Sequence, residues 1–111
     1  MAGTPEGAVK REVKKLLVAR GIWFYAPVQN GLGVVGIPDF VCCWRGRFLV
    51  IETKAPGKRS GTTANQRRVL AEVVDHGGLA IVVDDVAQLE AYLDQVDQSQ
   101  AGVPSQVQRT A

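Results

Sequence analysis

The sequence predicts an α/β domain, a mixed three- to four-stranded sheet flanked by helices in the order αβββαβα. Three observations carry this. Apolar residues recur at helical spacing near both ends of the chain, as Val9, Val13, Leu16 and Leu17 and again as Val86, Leu89, Leu93 and Val96. Two β-rich runs, residues 39–44 and 47–54, flank Arg45-Gly46 as the arms of a hairpin. A helical run and an apolar strand then follow.

Each element has a local cause. Thr4-Pro5 supplies an N-cap and a proline suited to the first helical position, and Gly21 is a stop. Residues 22–25 are β-branched and aromatic and read as a strand, ending in the turn-rich stretch 27–36. The hairpin comes next, then a basic loop over residues 55–61 holding Lys58 and Arg59. Thr63 and Gln66 have the spacing of a capping box, opening a helix with Val69, Leu70, Val73 and Val74 turned inward and ending at His76-Gly77-Gly78. Residues 79–83 read as a buried strand, and the last helix runs to Val96. The Gln-, Ser- and Gly-rich residues 97–111 read as a flexible tail, which leaves one domain over residues 1–96.

Composition narrows the function. With 46% apolar and 22% charged residues the chain reads as globular. No apolar run is long enough to span a bilayer and the N-terminus lacks a secretion pattern, so a cytoplasmic, non-membrane protein is expected. Cys42 and Cys43 are adjacent, which excludes a disulfide scaffold and, with a single histidine, gives no zinc spacing. The net charge of +2 hides an asymmetry. Residues 1–68 carry 12 Lys and Arg against four acids, whereas residues 69–111 carry one Arg against seven acids. A basic half suits a polyanion partner, because phosphate neutralisation dominates nucleic-acid affinity.

Three ionisable residues sit where apolar ones are expected. Asp39 opens an apolar strand directly after Pro38, and Glu52 and Lys54 interrupt the end of the most hydrophobic strand. Alternation puts Glu52 and Lys54 on one face. With a two-residue loop at Arg45-Gly46, paired positions add to 91, so Asp39 falls opposite Glu52. A four-residue loop keeps that register, and a three-residue loop would place the two carboxylates on opposite faces. Facing carboxylates about 5 Å apart repel by roughly 3 kcal/mol at an effective dielectric of 20. A hard divalent cation relieves this, since Mg2+ and Mn2+ take carboxylate oxygens and waters. Glu6 lies within the Val9, Val13 and Leu17 stripe and is a candidate third acid.

These motifs together resemble a known family. Pro38-Asp39 followed by Glu52-Thr53-Lys54, on a hairpin after a helix bearing Glu6, resembles the PD-(D/E)xK nuclease superfamily. Gly36-Ile37-Pro38-Asp39, Glu52-Thr53-Lys54 with Gly57 after it, and the downstream Gln66 resemble its virus-type replication-repair nuclease (VRR-NUC) branch over roughly residues 4–84. The resemblance implies a nuclease core and phosphodiester hydrolysis with Mg2+ or Mn2+. It implies Asp39, Glu52 and Glu6 as catalytic acids and metal ligands, the Thr53 carbonyl as a further ligand, Lys54 as the catalytic lysine and Gln66 as an accessory residue. It further implies DNA as partner, including branched or four-way junction DNA, a homodimer, and a phage or replication-repair setting. Arg45, Arg47, Lys58, Arg59, Arg67 and Arg68 are the expected grips on the flanking backbone.

Other readings stand beside this one. Glu52 and Lys54 could form a surface ion pair on an edge strand. The chain could also be a non-catalytic DNA-binding or architectural module of the same fold, or an RNA-directed nuclease. Residues 31–36 match GxGxxG, but they lead into Pro38 and a strand rather than a helix, so they read as a flap near the site. One thiol of the cysteine pair is expected to be buried, and Trp23 and Trp44 are expected in the core or on a sheet face.

Overall fold

The computed structural model describes residues 3–28, 33 and 35–99 of the chain. Helix α1 spans Pro5–Ala19, with the Thr4 hydroxyl accepting from the Gly7 N–H at 2.9 Å. Strand β1 (Trp23–Tyr25), β2 (Phe40–Trp44) and β3 (Arg47–Thr53) form an antiparallel meander. A single 3-10 turn at Arg59–Gly61 leads to α2 (Ala64–Asp75), β4 (Leu79–Val83) and α3 (Val86–Ser99). Strand β4 pairs in parallel with β3, which makes a four-stranded mixed sheet of order β1-β2-β3-β4.

The hairpin turn is the two-residue form. Arg45 and Gly46 both have positive φ (54° and 80°), the requirement of a type I′ turn. Trp44 then pairs with Arg47 and Phe40 with Ile51, which sets the register on which the site depends.

Alternation sorts the sheet into two faces. Phe40, Cys42, Trp44, Leu49 and Ile51 join Val9, Val13 and Leu17 of α1 and Leu89 and Leu93 of α3 in the main core. Val41, Val50 and Glu52 fall on the opposite face, where α2 brings the buried Val69. Strand β3 is therefore flanked by strands and covered on both sides, which explains its unbroken Leu49-Val50-Ile51.

The structure corrects some expectations and bears out others. The last helix continues past Val96 to Ser99, because Asp97 pairs with Arg45 at the hairpin tip. Leu79–Val83 is a half-covered edge strand in which only Val83 is fully buried. Val74 points outward and is exposed, because α2 lies over the sheet edge and turns Val69 toward it. Of the tryptophans, Trp44 is buried and Trp23 is exposed on the edge strand. Cys42 is buried and Cys43 exposed; burial pushes the Cys42 thiol up to about 12, so it stays protonated. Of the expected flap over residues 31–36, residues 31, 32 and 34 lie outside the described residues. Among the described residues no helix is long and apolar enough to cross a membrane.

Candidate active site

The site forms where β2 begins and β3 ends. Continuing the Phe40–Ile51 pairing by one step puts Asp39 opposite Glu52. The Lys54 N–H donates to the Val83 carbonyl of β4 at 2.9 Å, so the preceding Thr53 N–H points the other way, toward β2. There the Asp39 carboxylate receives it. Oδ2 accepts from the Thr53 N–H at 2.8 Å and from the Thr53 hydroxyl at 2.7 Å. Thr53 is fully buried, so Asp39 is held at one oxygen by two fixed donors.

Glu52 is 3% exposed and lies on the α2 face. Its Oε2 accepts from Gln66 Nε2 at 2.9 Å and lies 3.6 Å from Lys54 Nζ. Lys54 Nζ donates to Gln66 Oε1 at 2.8 Å. The surface-pair reading of Glu52 and Lys54 is thereby overturned, because Glu52 is buried, Lys54 is half-buried and β3 is not an edge strand.

Gln66 joins the two and caps a helix as well. Its Oε1 accepts from the Thr63 N–H at 2.9 Å while its own N–H donates to Thr63 Oγ1 at 3.1 Å, completing the capping box of α2. Since the Thr63 N–H can only donate, the amide oxygen must face it and Lys54, which aims the NH2 group at Glu52. Gly36 seats this helix terminus against the loop before Asp39. It has φ +88°, and a Cβ there would lie 2.6 Å from the carbonyl carbon and oxygen of Asn65.

On the α1 side, Glu6 meets a lysine instead of the other acids. Lys10 Nζ is 3.6 Å from Glu6 Oε2 and 3.4 Å from Asp39 Oδ1. Glu6 was expected on the buried face but is 40% exposed, because it opens the first turn of α1 where the helix runs past the sheet. Burial lowers the Lys10 pKa, but the opposing pull of Asp39 and Glu6 wins and the net shift is upward. Glu52 is pushed up to about 7, first by burial and then by the charge of Asp39, with Glu6 adding and Lys54 opposing.

Among the described residues no three His, Cys, Asp or Glu side chains gather as a preformed metal cluster. The donor chemistry nevertheless fits a hard cation. The charge of Asp39 adds to the cost of ionising Glu52 here, and Mg2+ is held in proteins by one or two carboxylates with several retained waters.

The expected cationic grips divide by position. Arg45 and Arg47 sit at the hairpin tip, about five residues of strand and so roughly 16 Å from Asp39. There Arg45 lies over the Trp44 ring and pairs with Asp97, and Arg47 donates to the Gly77 carbonyl. Lys58 and Arg59 are exposed in the loop after Lys54, which Asp84 clamps by accepting from the Gly57 N–H at 2.7 Å. Arg67 donates to the Thr62 carbonyl and Arg68 pairs with Glu72. Lys10, the Thr53 side chain and Asp84 escape a reading of the sequence alone. Only Lys10 carried a usable signal, being four residues after Glu6 on the same helix face.

No protein-family model matches the sequence, and no curated protein does. A solved structure described as a VRR_NUC domain matches the fold with a TM-score of 0.69 and 22% identity, covering 83% of this chain and 97% of that one. The chain therefore has the VRR_NUC fold, a four-stranded mixed sheet flanked by helices, as the sequence motifs implied.

Proposed function

We propose that this chain is a metal-dependent deoxyribonuclease that hydrolyses phosphodiester bonds. The observation that carries this is the part-buried cluster of Asp39, Glu52, Lys54 and Gln66 at one end of the β2–β3 hairpin, within a VRR_NUC fold. Asp39, Glu52 and the Thr53 carbonyl would hold Mg2+ or Mn2+, with Glu6 joining from α1. When bound, such an ion activates water and neutralises phosphate charge.

The chain's own residues supply the rest. Thr53 fixes Asp39, Gln66 orients Glu52, and the Lys54 ammonium, held by Gln66, polarises a water or a phosphate oxygen. Lys58 and Arg59, exposed just beyond Lys54, are the cations best placed to grip the backbone at the site, and Arg45 and Arg47 would reach a more distant stretch. The same reading includes a homodimer presenting two sites to a junction. The exposed Trp23 and Tyr25 of edge strand β1 support pairing.

A panel of labelled four-way junction, flap, nicked and plain duplex DNA, with an RNA duplex beside them, tests the proposal in Mg2+, Mn2+ and EDTA. Cleavage of DNA with either metal and none in EDTA supports it. Retained binding without cleavage under every metal would make the chain a binding module, and cleavage confined to RNA would move it to the RNA-directed class.

A further inference from the structure

Lys10 has no part in the catalysis proposed above, yet it touches two of its acids. Its ammonium lies 3.4 Å from Asp39 Oδ1 and 3.6 Å from Glu6 Oε2. Asp39 Oδ2 is already committed to Thr53, so Oδ1 is the oxygen of Asp39 that Lys10 engages. The Asp39 side chain is 12% exposed, and Lys10 is 43% exposed. A cation on a long stem thus bridges α1 to the start of β2 at a carboxylate proposed to bind metal.

We infer that Lys10 is a positioning residue that serves as the built-in counter-ion of this site. Its ammonium holds Glu6 and Asp39 together before metal arrives and withdraws when a divalent ion takes the Asp39 oxygen. The chemistry is direct competition for one oxygen between a monovalent ammonium and a divalent cation. Two carboxylates near one another favour whichever cation is present. The flexible stem lets the ammonium leave toward solvent at low cost, since it is partly exposed already.

The inference rests on Asp39 being a metal ligand, and the test separates the two. Mn2+ binding to the full chain is measured by titration calorimetry for wild type, Lys10→Met, Lys10→Gln, Lys14→Met and Asp39→Asn, with thermal melts in EDTA. Lys14 is one helical turn further along α1 and controls for the general loss of a positive charge. Both Lys10 variants should bind Mn2+ about tenfold more tightly, or about 1.4 kcal/mol. Both should also melt lower than wild type in EDTA, and Lys14→Met should shift affinity much less. Two independent replacements guard against a folding defect in either. Mn2+ affinity in both Lys10 variants equal to or weaker than wild type, with Asp39→Asn still abolishing binding, overturns the role of Lys10 alone. Unchanged Mn2+ binding in Asp39→Asn, or none in wild type, overturns the ligand assignment and this inference with it.

Discussion

Gln66 donates from Nε2 to Glu52 Oε2 over 2.9 Å, and in the same side chain the oxygen that caps α2 also accepts from Lys54. A helix cap and the orientation of an acid and a lysine are therefore one hydrogen-bonded unit. Gln66→Ala removes three side-chain hydrogen bonds, two of them to charged groups, and should cost roughly 1–3 kcal/mol. Cleavage should fall well below wild type at temperatures where the variant is fully folded. A melt together with a cleavage time course checks both, and a wild-type rate in folded Gln66→Ala would remove Gln66 from the site.

Gly36 transmits the same geometry through the backbone. Gly36→Ala combines a positive φ with a Cβ 2.6 Å from the Asn65 backbone, so neither the turn nor α2 can yield cheaply. The expected loss is on the order of 2–4 kcal/mol in a denaturant titration. A loss below about 0.5 kcal/mol would show that α2 is not seated where described.

Glu52 makes the metal-free protein pH-sensitive. Its pKa is about 7 in the folded chain against an ordinary 4.5. Between those values the folded chain keeps the proton while the unfolded chain has released it, so stability falls as pH rises from 4.5 through 7. At about 1.4 kcal/mol per pH unit the loss is at most roughly 3.5 kcal/mol. Asp39 and Glu6 set the sign with burial, Lys54 opposes them, and Lys10 stands between Asp39 and Glu6. Melts in EDTA from pH 5 to 8 should decline for wild type and decline less for Glu52→Gln, which should be at least as stable as wild type at pH 8. Parallel pH slopes in the two proteins would contradict the strained carboxylate.

Pairing of the chain is open to a simple measurement. Light scattering at micromolar concentration should give about twice the 11.9 kDa chain mass. A single 11.9 kDa species, with and without DNA, would contradict the homodimer.

The hairpin was legible because two local signals agreed. Arg45-Gly46 demands a tight turn, and the strand pattern around it leaves one register that buries the apolar face. That register carried Asp39 to Glu52. The double role of Gln66 was legible in part, since the capping box is a local pattern, but its reach to Lys54 depends on how α2 docks against β3. Lys10 and Asp84 were hidden for the same reason. Each acts across elements far apart in sequence, and nothing in the spacing of α1 says that its first turn passes the start of β2. Arg45 shows the converse limit, since its distance from the site also follows from the fold. It was expected to grip the flanking backbone, and its place at the turn puts it at the other end of the hairpin from Asp39.

The central claim is that Asp39, Glu52 and Lys54 form one metal-dependent cleaving unit. The most direct measurement follows one labelled duplex through binding and cleavage by wild type, Asp39→Ala, Glu52→Ala and Lys54→Ala, each with Mg2+, Mn2+ and EDTA. Wild type should cut only with a divalent metal, and each variant should bind the duplex, stay folded and not cut. A variant that cuts at the wild-type rate in Mg2+, or a wild type that cuts equally well in EDTA, would contradict the account.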